Sequence, residues 1–273
     1  LTHIERDVVT YGFLKAAKSL TEGSRRGNHR MKMVELGPAI RMDSTQPGAL
    51  ERSLHSFVES APHIARLFHG AGKGLDSLAH CEAYFLTGNI PCAIENAYKA
   101  IYEAMPAEQY DIAGNAYFML LKIYNLRGDY PKIMDILESI AGFEENPQAR
   151  SSGMGELSRT WFYAQMGEFS RLAGWITSAA SDHHAPASIG RELLVRARSL
   201  LAKGDHLEAL SLLRCHEDFL EKRKSYILLI YVHICMAIAH KNLGDNEQAS
   251  AALLRAHQGA EGNKIITPFI EFG

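Results

Sequence analysis

Apolar residues recur at helical spacing along most of this chain, and the recurrence breaks at regular points marked by glycine. Five phrases share one grammar: Tyr84 to Asn89, Tyr124 to Asp129, Tyr163 to Glu168, Leu200 to Asp205 and His240 to Asp245. Each carries a glycine in the fourth position after its first member: Gly88, Gly128, Gly167, Gly204 and Gly244, at nearly even intervals. An amphipathic stretch several turns long precedes each glycine. A second such stretch follows it, with small or apolar residues at plus five and plus twelve: Ala93/Ala100, Ile133/Ile140, Leu172/Ala179, Ala209/His216 and Ala249/Ala256. A glycine ends a helix cheaply because it accepts the left-handed conformation. The Asp, Asn or Glu after it suits the start of the next helix. The small residue at plus five lets the second helix cross close to the first. The pattern therefore predicts helical hairpins. A single hairpin cannot bury its apolar faces, so successive hairpins must stack.

The N-terminal third is less regular. Ile4, Val8, Tyr11, Leu14 and Ala17 predict a helix over Ile4–Leu20, and Arg25–Leu36 a partner weakened by Gly27. Gly37–Gly48, with Pro38 and Pro47, reads as extended linker. Leu50–Phe68 reads as helix, broken or kinked at Pro62. The organisation expected is residues 1–69 as irregular helices of the same superhelix, 70–262 as five hairpins, and 263–273 as a C-terminal cap.

The hairpins resemble tetratricopeptide repeats, in which an aromatic stands four positions before the turn glycine and alanines follow at plus five and plus twelve. Tyr84, Gly88, Ala93 and Ala100 carry the likeness; Gly244, Ala249 and Ala256 repeat it, with His240 in the aromatic slot. The spacing between units is longer than the family's own period, and the extra residues fall between hairpins, as at Met105–Tyr110 and Phe143–Gly153. The last units, Arg191–Leu213 and Leu228–Ala256 followed by Ile265–Gly273, are similar to the end of the sensor domain in large LuxR-type transcriptional activators of the maltose-activator kind. That resemblance spans about Gly70–Gly273. It implies an all-α, right-handed superhelix of stacked antiparallel hairpins, a small-molecule inducer or partner protein bound on the concave face, and self-association on activation. It also implies a cytoplasmic protein that meets DNA only through a separate domain. The chain begins at Leu1 rather than Met, which reads as a piece of a longer protein. A general adaptor of the tetratricopeptide kind, gripping a peptide segment of a partner protein, is the alternative.

Composition narrows these readings. Hydrophobic residues make up 47% of the chain and charged residues 22%, the proportions of a globular protein. Net charge is −2, unlike the basic surface of a nucleic-acid-binding domain. Four cysteines without a CxxC point to no disulfide scaffold and no zinc site. The most apolar run, Tyr226–Ala239, is shorter than the roughly 20 residues of a membrane span and reads as a helix buried between neighbours.

Candidate chemistry is sparse. Gly70–Gly74 (Gly-Ala-Gly-Lys-Gly) lacks the first glycine and the final Ser or Thr of a phosphate loop, with Leu67 and Gly74 in those places. His183 and His184 stand in a polar stretch without metal-ligand spacing. No catalytic motif occurs, so no enzyme activity, cofactor or metal is expected. Counting back from each glycine to the positions that line the concave face in the resembling family gives Glu82, Lys122, Trp161, Arg198 and Ile238 at minus six, and Phe85, Asn125, Ala164, Leu201 and Lys241 at minus three. Tyr231 and Arg191 hold earlier positions. The ligand-binding candidates are Glu82, Lys122, Asn125, Trp161, Arg198 and Lys241, where charge and amide orient a ligand and an aromatic face stacks on it. A solvated helix face with no ligand accounts for the same residues. Leu120, Leu121, Tyr124, Phe162, Tyr163 and Leu200 read as core.

Overall fold

The computed structural model describes residues 42, 44–67, 72–176 and 189–272. The helices expected at Ile4–Leu20 and Arg25–Leu36, and the pair His183 and His184, lie outside the described residues. The described chain is all-α, with no strand among the described residues. Its helices are α1 (Ala49–Leu67), α2 (Leu75–Leu86), α3 (Ile90–Ala104), α4 (Tyr110–Arg127), α5 (Tyr130–Phe143), α6 (Pro147–Arg150), α7 (Met154–Gln165), α8 (Ile189–Lys203), α9 (His206–Lys222), α10 (Tyr226–Asn242), α11 (Asn246–Ala260) and α12 (Thr267–Ile270). Consecutive helices pack on one another as hairpins: α2/α3, α4/α5, α8/α9 and α10/α11.

The turn chemistry repeats. Gly88, Gly128, Gly167, Gly204 and Gly244 all have positive φ, from 65° to 87°. The residue after each donates its N–H to the carbonyl five positions back, namely Tyr84, Tyr124, Tyr163, Leu200 and His240, at 2.8–3.0 Å. This is the Schellman closure, which satisfies a carbonyl left orphaned by the helix end. Asn89, Asp129 and Asp245 then cap the following helix, each accepting from the amide at plus three. Pro91 and Pro131 stand in the first turn, where no amide hydrogen is needed. Between hairpins the same closure is made without glycine: Glu108, Lys224 and Lys264 take the positive φ after α3, α9 and the turn at Glu261–Asn263.

The small positions do what their spacing requires. Ala93, Ala97, Ala100 and Ala104 form a fully buried face on α3, and Ala209, Ala252 and Ala256 are buried likewise. Helix α10 is buried on nearly every side, between α9 and α11 and against α8. No helix among the described residues is long and apolar enough to cross a membrane. Two elements differ from expectation. Helix α1 runs through Pro62 without a break, so the single hydrogen bond lost there does not end it. The arm after Gly167 is not one helix as far as Ile176: it forms two single 3₁₀ turns, Phe169–Arg171 and Gly174–Ile176, and α7 packs directly on α8.

The stack closes on itself. Residues of α1 and α2 (Ala49, Leu50, Ala83, Leu86) share one hydrophobic cluster with residues of α10, α11 and the C-terminal segment (Ile227, Ile230, Tyr231, Ile234, Ala256, Ile265). Backbone bonds seal the joint: Ile266 N–H to Leu86 O at 2.9 Å and Gly48 N–H to Gly262 O at 3.1 Å. The Asn263 side chain accepts from Leu50 N–H at 2.9 Å, and the Thr267 hydroxyl donates to Phe85 O.

Candidate functional site

The closure turns the inner face into a half-open cavity of about 90 Å³, room for several waters. The first helix of every unit reaches it: α2 through Glu82 and Phe85, α4 through Phe118 and Lys122, α7 through Trp161, α8 through Arg198, and α10 through Tyr231. Glu82, Lys122, Trp161 and Arg198, named from four different hairpins by counting, thus line one space. It is narrower than an open concave groove, because the last hairpin and the C-terminal segment pack back onto α2.

Its polar centre is a carboxylate from outside the repeats. Glu271, just past α12, places Oε1 3.2 Å from Lys122 Nζ and 3.7 Å from Arg198 Nη1. Its Oε2 accepts from the Tyr231 hydroxyl at 2.7 Å, and its main-chain carbonyl accepts from Arg198 Nη2 at 3.1 Å. Arg198 also donates to Gln165 Oε1 at 2.6 Å, and Lys122 to the Tyr231 hydroxyl at 3.4 Å. The three charged side chains are nearly dry, 13% exposed for Lys122, 10% for Arg198 and 4% for Glu271. Aromatic rings complete the surround. Lys122 Nζ lies 4.7 Å from the centre of the Phe85 ring and 5.1 Å from that of Tyr231. The Arg198 guanidinium stands 4.0 Å from Phe272 and 5.7 Å from Trp161. Trp161 meets Phe118 edge-on, with ring centres 5.8 Å apart.

The electrostatics follow from burial. Desolvation lowers the Lys122 pKa below that of an ordinary lysine, and the Glu271 carboxylate opposes that shift. Burial, reinforced by the same carboxylate, raises the Tyr231 phenol well above its usual value, so it remains a donor. The site is therefore an anion cradle, with two cations and a phenol aimed at one carboxylate and flat apolar walls beside it.

The other candidates fall elsewhere. Asn125 is half-buried on α4 and does not line the cavity. Lys241 is exposed, bonds Asn246 Oδ1 at 2.9 Å, and belongs to a separate shallow depression between α10 and α11, beside Ile238 and Phe269. The side chain of Arg191 is outside the described residues. Leu120, Leu121, Tyr124, Phe162 and Leu200 are buried, while Tyr163 is half-buried. Gly74 is explained by packing: a Cβ there would stand 2.6 Å from the carbonyl oxygen of Ala100. Sequence reasoning did not single out Glu271, Phe272 or Gln165. The one available signal was an acidic residue set between Ile270 and Phe272 in an otherwise apolar run. No group of three or more metal-ligating side chains occurs among the described residues. Neither a scan against protein-family models nor a search of curated proteins finds a match to this chain.

Proposed function

We propose that this chain is the regulatory sensor domain of a LuxR-type transcriptional activator, cytoplasmic and non-enzymatic, which binds a small-molecule inducer inside its ring of hairpins. The observation that carries the reading is convergence. Inner helices of all five units contribute to one cavity, so an occupant touches every repeat at once. A ligand with different affinities for two arrangements of those repeats shifts the balance between them, which is the thermodynamic requirement of a sensor. DNA contact and self-association belong to the intact activator: the net charge of −2 favours no phosphate backbone. The adaptor alternative needs a long open concave face for an extended peptide, and a narrow, half-open cavity of about 90 Å³ favours a small molecule instead.

The test is a thermal-shift screen of the purified chain against small metabolites and short peptides. A ligand at a hundred times its Kd stabilises the protein by about 2.7 kcal/mol, well within detection. The expected hits are small molecules whose binding alters tryptophan fluorescence. Hits confined to peptides would transfer the case to the adaptor.

A further inference from the structure

We infer that Glu271 and Phe272 are a built-in occupant of the ligand position, and that the ligand is a carboxylate-bearing monoanion with an aromatic or apolar body that displaces them. The inference rests on the sensor reading and narrows it to a ligand class.

Three features carry it. The first is where the donors and the acceptor come from. Lys122, Arg198 and Tyr231 sit on α4, α8 and α10, three long helices locked in the core. The carboxylate they share sits on a segment whose only regular structure is the short helix α12. So short a helix has little stability of its own and is held by its contacts with α2 and with the cradle. The cradle stands on long helices and its occupant on a short one.

The second is charge. The cavity wall carries Lys122 and Arg198 against Glu82, and Glu271 supplies the remaining negative charge. Withdrawing Glu271 leaves one uncompensated positive charge in a nearly dry site, a costly state. A replacement that brings one negative charge keeps both ion pairs made, whereas a neutral molecule forfeits them and leaves Lys122 to shed its proton.

The third is imperfect fit. Glu271 Oε1 makes ion pairs but no hydrogen bond of good geometry. A void remains beside it, walled by Phe118, Trp161 and Phe85. A ligand that keeps the carboxylate contacts and fills this void has more apolar surface to bury than the segment uses.

Displacement has a built-in consequence. The same short segment holds the joint between the first and last hairpins, through Ile266 to Leu86 and Thr267 to Phe85. Occupation of the cavity and closure of the stack therefore compete for one stretch of chain.

The probe is 3-phenylpropionate, which joins the two groups that Glu271 and Phe272 bring. 3-Phenylpropionamide is the neutral control, and sodium chloride matches ionic strength. Melting temperature and tryptophan fluorescence are followed for the wild type, Glu271→Ala and Glu271→Ala/Lys122→Met. Glu271→Ala should melt lower than the wild type. Phenylpropionate should restore it saturably, with an apparent affinity at least about tenfold tighter than for the wild type, because the tethered competitor is gone. The amide should not restore it, and Lys122→Met should abolish the effect. Equal rescue by the amide, or no rescue by the acid, overturns the inference. If Glu271→Ala does not fold, Glu271→Gln keeps the shape and the Tyr231 contact while losing the charge. Absence of a saturable fluorescence change with phenylpropionate in both Glu271→Gln and the wild type overturns it equally. A neutral inducer that stabilises the wild type and Glu271→Ala alike would sink this inference and leave the sensor reading standing.

Discussion

Replacing the hairpin glycines one at a time tests the architecture in a graded way. Gly128 has φ 65°, and a Cβ added there meets nothing within 4 Å, so Gly128→Ala isolates the backbone effect. An L-residue in the left-handed region costs about 1–2 kcal/mol. The stiffer unfolded chain returns about 0.4–1 kcal/mol. The net loss is about 1 kcal/mol, which moves the melting temperature of a chain this size by ~2–4 °C. Gly88 has φ 79°, and its Cβ would lie 2.7 Å from Ile266 Cδ1, the far end of a side chain that can turn away. Gly74 has φ 85°, and its Cβ would strike the Ala100 carbonyl oxygen and the Ala104 Cβ, so α2 and α3 must separate. Overpacking of that kind adds about 1–3 kcal/mol. The expected order of destabilisation in urea melts at constant m is Gly128→Ala, then Gly88→Ala, then Gly74→Ala. Gly128→Asn should recover part of its loss, because asparagine tolerates this conformation. A neutral Gly128→Ala, or Gly74→Ala milder than Gly128→Ala, would refute the turn geometry from which these costs are worked.

Trp161→Ala should cost about 3–5 kcal/mol in a denaturant melt, because the ring is 3% exposed and packed edge-on against Phe118; a change within error would mean the ring faces solvent. In the native protein a maleimide should label exposed Cys215 and spare Cys81 and Cys235, whose thiols burial pushes up, to about 12 for Cys235; mass spectrometry of the labelled peptides reads this directly. His233 is buried beside Glu217 Oε1 at 2.9 Å, with Arg255 Nη1 3.4 Å from the same oxygen, and desolvation holds its pKa below 6.5. Its contribution to stability is therefore complete above about pH 6.5 and lost as the pH falls through the depressed value; His233→Gln should flatten the pH dependence of urea midpoints in that window, and an unchanged slope would count against the buried neutral ring.

What the sequence disclosed and what it withheld divide along physical lines. The hairpin turns were legible because each is a local event: one glycine, one cap and one carbonyl at the end of the preceding helix decide it, and all lie close together in the chain. The same holds for Ala93 and Ala100, where the helical period puts small side chains on the crossing face. Counting back from the glycine found Glu82, Lys122, Trp161 and Arg198 because these helices share one orientation toward the interior. At minus three only Phe85 reaches the same cavity, and in the last unit neither position does. There α10 meets the cavity with Ile227, Leu228 and Tyr231, about two turns before Ile238 and Lys241. A register carried over unchanged assumes an open stack, in which every unit meets its neighbours alike. The arm after Gly167 was missed for a local reason that the pattern hid: Leu172 turns extended after a single turn, and the apolar spacing of Leu172 and Ile176 survives without a helix.

Glu271 was illegible for a different reason. Nothing near it in sequence explains a carboxylate between Ile270 and Phe272; its partners Tyr231, Arg198 and Lys122 lie far back along the chain, on three separate helices. Only closure brings them together, and closure changes the energetics of the whole. In an open solenoid each unit answers to its neighbours, and stability is close to a sum of nearest-neighbour terms. Here the first unit is bonded to the segment after the last, so a disturbance at that joint reaches both ends of the stack at once. The buried ion pair sits on the segment that makes the joint, and a buried pair replaced by well-packed apolar residues often costs no stability. Lys122 and Arg198 could have been leucines if packing were all that mattered. Two nearly dry cations from long helices, answered by a carboxylate just past a four-residue one, form a contact suited to being exchanged.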